Sequence, residues 1–223
     1  MARFSRMEVL NTMAESGMIP LYYNSNPQII KNIIEACYKG GARVFEFTNR
    51  GDYAHEVFAE VNKWCANKFP EMILGVGSVV DSGTASLYIQ LGTNFIVSPL
   101  LNPEIAKVCN RRKIPWLPGC ATISEINLAE ELGVEIVKIF PGKEVGGPSF
   151  VKSIKGPCPW TSIMPSGGVT TERDNLGAWI KAGATCVGIG SNLFPKEVIA
   201  NENYSKIEDS VRNVLSVIRE LKK

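Results

Sequence analysis

Strand-like and helix-like segments alternate along this chain from end to end, eight times over its 223 residues. Short apolar runs at 18–23, 43–48, 72–75, 94–98, 116–118, 136–140, 161–164 and 186–190 read as strands. Helical spacing occupies 27–39, 53–67, 82–91, 103–112, 123–132, 173–182 and, briefly, 150–154. A further helix is predicted over 5–16, and another over 204–221 closes the chain. Gly-Gly-Ala (40–42), Leu-Gly-Thr (91–93), Leu-Gly-Val (132–134) and Ala-Gly-Ala (182–184) fall where helix hands over to strand. Glycine suits the left-handed backbone that ends a helix. Repeated strand–helix units imply a parallel sheet covered by helices. Eight units in one compact chain predict closure into a single (β/α)8 barrel. The expected organisation is one domain: an N-terminal helix over 1–17, a barrel core over 18–200 and a C-terminal helix over 201–223. An open doubly wound sheet is the alternative, but no G-x-G-x-x-G opens the first helix.

With 45% hydrophobic residues the chain can build a sizeable core. Its net charge of +2, without a basic tract or acidic tail, predicts neither nucleic acid nor a membrane surface as a partner. Arg111-Arg112-Lys113 is expected at a helix C-terminus, where positive charge is favoured. The six cysteines (37, 65, 109, 120, 158 and 186) form no C-x-x-C pair, and His55 is the only histidine. No common zinc set can be assembled, so no metal and no cofactor are expected. The cysteines read as small buried hydrophobes in a reducing cytoplasm. Residues 1–6 lack a signal-type apolar core, and no apolar run is long enough to span a bilayer. A soluble cytoplasmic protein is expected. His55 falls on an outer helix and reads as a surface residue.

In a barrel of this kind, functional residues lie at the C-terminal ends of the strands. The unusual residues of this chain do so. Lys138 interrupts the apolar run 134–141. A buried lysine loses its proton readily, and a neutral amine in an apolar pocket forms Schiff bases with carbonyl compounds. The other reading is a lysine that snorkels from a strand end or pairs with a carboxylate. Glu46 lies between Phe45 and Phe47, where apolar neighbours favour its protonated form and suit it to proton transfer. Arg50 leaves the same strand and can grip a carboxylate with two parallel hydrogen bonds. A structural ion pair of Glu46 with Arg43 or Arg50 is the competing account.

Two glycine- and serine-bearing turns follow strands seven and eight. They are Pro165-Ser166-Gly167-Gly168-Val169-Thr170 and Gly188-Ile189-Gly190-Ser191. Such turns let backbone N–H groups approach an anion, and these two positions are the recurrent phosphate site of barrel enzymes. Plain tight turns are the alternative. Phe140 walls the site or simply packs. Ser78 offers a hydroxyl near the end of strand three, and Ser98-Pro99 ends strand four. Thr122 reads as a helix cap with Glu125 as its box partner. Cys120 reads as packing, since no histidine stands by to activate it.

Together these motifs resemble the 2-keto-3-deoxy-6-phosphogluconate aldolase family, which includes 4-hydroxy-2-oxoglutarate aldolases. The matching stretches are Gly41-Ala42-Arg43-Val44-Phe45-Glu46-Phe47-Thr48-x-Arg50, Gly75-x-Gly77-Ser78-Val79, Ser98-Pro99, Pro118-Gly119-x-Ala121-Thr122, Val137-Lys138-Ile139-Phe140-Pro141, Gly146-Gly147-Pro148, Pro165-Ser166-Gly167-Gly168-Val169 and Gly188-Ile189-Gly190-Ser191. They run in family order from about residue 18 to 195. The resemblance implies a homotrimeric barrel and metal-free class I chemistry on a small 2-keto acid. It makes Lys138 the Schiff-base lysine, Glu46 the acid/base and Arg50 the carboxylate ligand. Ser78, Pro99 and Phe140 fall at substrate positions, and Ser166, Gly167, Gly168, Gly190 and Ser191 fall on the phosphate turns. Leu100-Leu101, Gly142-Lys143-Glu144 and Tyr22-Tyr23 depart from the family pattern around the substrate mouth. The implied reaction splits 2-keto-3-deoxy-6-phosphogluconate into pyruvate and glyceraldehyde 3-phosphate, with 4-hydroxy-2-oxoglutarate as a smaller substrate. A phosphate-binding barrel isomerase and a non-catalytic sugar-phosphate-binding barrel are the rivals; neither needs Lys138.

Overall fold

The computed structural model describes residues 2–223. The elements run α1 (Arg6–Ser16), β1 (Met18–Tyr22), α2 (Pro27–Lys39), β2 (Val44–Thr48), α3 (Ala54–Lys68), β3 (Ile73–Gly77), α4 (Ser82–Gln90), β4 (Ile96–Val97), α5 (Pro103–Arg112), β5 (Trp116–Leu117), β6 (Gly119–Cys120), α6 (Ile123–Glu131), β7 (Ile136–Ile139), α7 (Gly147–Lys155), β8 (Ser162–Pro165), α8 (Arg173–Lys181), β9 (Val187–Ile189), α9 (Lys196–Ala200) and α10 (Tyr204–Leu221). Every strand pair is parallel. One sheet has the order β5-β4-β3-β2-β1-β9 and the other β6-β7-β8.

The two sheets meet at both ends. β5 runs into β6 across Pro118, and Ser166 bridges Gly188 in parallel to join β8 to β9. The fifth strand therefore extends past its predicted end at residue 118. Proline has no N–H for the ladder, which splits this strand into two short pieces. The result is the α/β barrel that the alternation predicts.

Local chemistry explains most helix ends. Glycines 41, 92, 133 and 183 at the helix-to-strand turns all take positive φ. Thr122 and Glu125 form the capping box read from the sequence, and Ser5 with Glu8 forms another. Arg111 and Arg112 occupy the last turn of α5. Two helices differ from expectation. α7 spans Gly147–Lys155 rather than 150–154, because Pro148 sits in its first turn, where proline starts a helix instead of breaking it. α9 was not predicted; at five residues it is too short to show periodicity.

Two buried apolar clusters divide the molecule. The larger lies between strands and helices. The smaller fills the lower barrel interior with Ile19, Val44, Ile73, Phe95, Val97, Leu117, Ile136, Met164 and Cys186. Val9, Leu10 and Met13 of α1 join it, so this helix plugs the barrel bottom. Arg3 and Arg6 hold the plug through hydrogen bonds to Pro70 O, Met72 O and Gly133 O, with an Arg6–Glu135 ion pair. Side chains alternate across a strand. Val44 and Ile136 face inward, so Glu46 and Lys138, two residues further along, face inward as well. No helix of the described residues is long and apolar enough to cross a membrane.

Candidate active site

Above the apolar plug the barrel interior changes character. On β2 and β7 the next inward positions are Glu46 (1% exposed) and Lys138 (6% exposed). Around them, small residues keep space open. A Cβ added at Gly77 would fall inside the Glu46 carboxylate at Oε1. Glycine at 119 stands beside Lys138 in the ladder, and Gly188 and Gly190 line the wall near Leu21. Large side chains below and glycines above turn a filled barrel into a cup.

Glu46 Oε2 is buried without a hydrogen-bond partner among the described residues. Burial raises its carboxyl above the usual carboxylate range, with the charges of Lys138 and Arg50 opposing the shift. Lys138 shows the converse. Burial lowers its ammonium below the ordinary lysine range; Glu46 opposes the shift and Arg50 adds to it. Both groups therefore move toward their neutral forms. The Lys138 amine lies 4.7 Å from the centroid of the Phe140 ring.

Neither structural ion pair weighed for Glu46 is present among the described residues. Arg43 pairs instead with Glu71 at 3.5 Å and stacks on Tyr38, while Arg50 joins no salt bridge. Lys138 likewise has no carboxylate within ion-pair distance.

A cavity of ≈290 Å³ opens at the C-terminal ends of the strands; Glu46 and Lys138 are not in its lining, but Thr48 and Phe140, two residues further along the chain from each, are. Its wall brings together Arg50, Phe140, Ser166, Gly167, Gly168, Gly190 and Ser191, all singled out from the sequence. Phe140 belongs to both levels: it lines the cavity, and its ring covers the lysine. Gly167 and Gly168 both have positive φ (+87° and +80°), which turns the chain after β8 sharply. Lys143 N donates to Gly167 O at 3.0 Å, and Asn192 Nδ2 donates to Val169 O at 2.9 Å, tying this turn to its neighbours. The backbone N–H groups of Gly167, Gly168, Ser191 and Asn192 donate to no protein group among the described residues. Unpaired amides on adjacent turns suit an anion.

Ser78 and Pro99 do not line this cavity. Ser78 is half-buried with φ +61°, and the Pro99 carbonyl packs against Gly119. The lining adds Leu21, Thr48, Gly188 and Asn192, which were not singled out as site residues. Thr48 carried a usable signal: it lies two residues beyond Glu46 on the same inward face. Tyr22 and Tyr23, noted only as departures, also line the wall. Cys120 is buried, and burial pushes its thiol up to about 12, so it is a packing residue rather than a nucleophile. His55 lies half-buried on α3, apart from the cavity lining. No group of three or more His, Cys, Asp or Glu side chains able to hold a metal exists among the described residues.

A parallel α/β barrel holding a buried lysine and carboxylate near a strand-end cavity has the parts that Schiff-base chemistry on a carbonyl compound needs. Residues 9–210 match the family model for KDPG and KHG aldolases, and the chain belongs to that family. It is 29% identical to the 2-dehydro-3-deoxy-phosphogluconate aldolase of Haemophilus influenzae over 97% of this chain and 99% of that one. It is 30% identical to the KHG/KDPG aldolase of Escherichia coli K12 over 81% of this chain and 82% of that one. Among solved structures, KDPG aldolase from Legionella pneumophila superposes with a TM-score of 0.82 at 28% identity, covering 91% of this chain and 96% of that one. That structure holds pyruvate captured as a covalent carbinolamine intermediate.

Proposed function

We propose that this aldolase cleaves a 2-keto-4-hydroxy acid through a Schiff base on Lys138, and that its principal substrate is 2-keto-3-deoxy-6-phosphogluconate. The observation that carries this reading is Lys138 itself, buried without an ion pair among the described residues and facing the Phe140 ring that lines the cavity. The neutral amine attacks the C2 ketone. Glu46, its carboxyl raised by burial, gives the proton that lets the carbinolamine lose water. The protonated imine then draws in the electron pair of the C3–C4 bond as the carboxylate of Glu46 takes the C4 hydroxyl proton. An aldehyde leaves and the enamine of pyruvate remains. Reprotonation at C3 and hydrolysis release pyruvate and restore the lysine. Arg50 holds the carboxylate throughout, which keeps C2 in line with the amine.

The unpaired amides of Gly167, Gly168, Ser191 and Asn192 take the anionic tail, so the leaving aldehyde is glyceraldehyde 3-phosphate. The same donors accept the shorter carboxylate tail of 4-hydroxy-2-oxoglutarate, which yields glyoxylate. A homotrimer in the cytoplasm is the working form. Exposed Val80 and Leu100, on loops tied by the Asn102 Nδ2 to Val80 O hydrogen bond, are apolar surface that a partner copy would bury. Light scattering on the purified protein tests the trimer.

The test of the chemistry is borohydride reduction with pyruvate, followed by peptide mass spectrometry. One pyruvate-sized adduct on the Lys138 peptide is expected. Active, folded protein without an adduct would sink the Schiff-base mechanism. Pyruvate release from the phosphorylated and unphosphorylated substrates, compared as kcat/KM, then tests the tail assignment.

A further inference from the structure

Among the described residues Arg50 is the only charged one in the cavity wall, and it stands on an exposed loop between β2 and α3. Loops sample several conformations, whereas two parallel hydrogen bonds to a carboxylate need one direction. Something must hold this loop. The structure ties Asn49, the residue before Arg50, to a buried tyrosine hydroxyl.

On one side, Tyr88 Oη donates to Asn49 Oδ1 at 2.7 Å. Asn49 N in turn donates at 2.8 Å to the carbonyl of Gly77, the glycine that makes room for Glu46. On the other side, a Cβ added at Gly51 would lie 3.2 Å from Tyr23 Oη, so this hydroxyl lies over the loop where φ is +86°. The two tyrosines end one aromatic arc. Tyr23 packs edge-on against Phe47 (5.6 Å), Phe47 against Phe58 (5.7 Å) and Phe58 edge-on against Tyr88 (5.1 Å). The arc draws on the residue after β1 and on β2, α3 and α4, so it spans three neighbouring strand–helix units.

Tyr88, Phe47 and Phe58 are fully buried. Packing alone would be served by phenylalanine at 88. A buried phenol needs a hydrogen-bond partner, and the partner here is the residue before Arg50. We propose that Tyr88 is a positioning residue for Arg50, fixing Asn49 so that the neighbouring guanidinium meets the substrate carboxylate in one orientation. This rests on the reading of Arg50 as the carboxylate ligand. Tyr88 acts through Asn49 and touches no substrate. Tyr23 lines the wall itself and makes no hydrogen bond to the loop among the described residues.

The test uses Tyr88→Phe, which keeps the ring and removes only the hydroxyl. Half-saturating pyruvate in borohydride trapping and the KM for the keto acid are expected to rise about 5-fold, the worth of one hydrogen bond. kcat changes less than about 2-fold, since the amine and Glu46 are untouched. Asn49→Leu removes the acceptor instead and gives the same rise, which keeps the test valid if one variant folds poorly. In an Arg50→Ala background, Tyr88→Phe raises KM no further. A rise of equal size with and without Arg50, or no rise in either Tyr88→Phe or Asn49→Leu, overturns the proposal. If Arg50→Ala alone leaves half-saturation unchanged, the carboxylate reading is wrong and the positioning role falls with it. If the unaltered protein forms no pyruvate adduct, the Schiff-base reading fails first and removes the basis for both.

Discussion

The lower and upper halves of the barrel interior are built from the same strands and the same alternation, yet they do opposite things. Below, Val44, Ile73, Phe95, Ile136 and Met164 fill the space, and α1 seals the bottom. Above, Glu46 and Lys138 occupy the next inward positions, with glycine at 77, 119, 188 and 190 around them. The lower half is a packed core whose contribution is stability. The upper half is an unfilled cup in which two buried ionisable groups lose their usual hydration. The packed floor closes the barrel beneath Lys138, and that burial is what disfavours its ammonium.

The comparison breaks first at Lys138. Lys138→Met removes the amine and substitutes an apolar chain of similar length. The covalent route disappears, so turnover should fall by more than the ~10⁴-fold that bounds general acid–base help. Borohydride should trap no pyruvate, and the fold should persist by circular dichroism. Retained turnover within 10-fold would place the chemistry elsewhere. Glu46→Gln comes next. It keeps the shape and loses the proton carrier, for an expected loss of ~10²–10⁴-fold in kcat. Pyruvate should still be trapped, more slowly, because the amine remains. Equal loss in both variants would mean that Glu46 does more than move protons.

Phe95→Ala tests the lower half. Its ring lies against Gly75, the ladder partner of Glu46, and is fully buried in the lower cluster. Truncating a buried phenylalanine typically costs ~3–5 kcal/mol. Urea unfolding should show a loss of this size, while kcat/KM per folded molecule stays within a few-fold. A variant that kept its stability but lost activity would abolish the division between the two halves.

How much of this was readable in the chain depends on the range of the interaction. Lys138 and Glu46 were legible because an ionisable residue inside an apolar run is a local anomaly. The alternation, the capping box at Thr122 and Glu125, and the proline that opens α5 are local as well. Gly77 shows the limit. The stretch Gly75-Val76-Gly77-Ser78 drew attention to the serine hydroxyl, whereas the glycine is what makes room for the Glu46 carboxylate. That role depends on which strand lies alongside, a register no local pattern reports. The same holds for α1. Its helical period was plain, but the burial of Val9, Leu10 and Met13 inside the barrel is a fact of closure. The competing ion pairs of Glu46 with Arg43 or Arg50 needed three dimensions too, since adjacency in sequence put Arg43 near a carboxylate it does not meet.

The finest test of the comparison is the cost of keeping a lysine in the upper half. Burial holds Lys138 below its unfolded value, so between the two values the unfolded chain binds more protons than the native one. Native stability then falls as pH drops below the unfolded lysine value of about 10.4, and the penalty is complete once pH is below the lowered native value. Lys138→Met has no such group. Its midpoint in urea should exceed that of the unaltered protein near neutral pH, and the gap should narrow as pH rises toward about 10. The Glu46 carboxyl works in the other direction. Raised by burial, it loses stability as pH climbs from the unfolded carboxylate value through its native one. Glu46→Gln should therefore gain on the unaltered protein as pH rises from acid toward neutral. A gap for Lys138→Met that is constant with pH would assign the whole effect to packing. It would also mean that the amine carries its ordinary charge, leaving the upper half as wet as the lower half is dry.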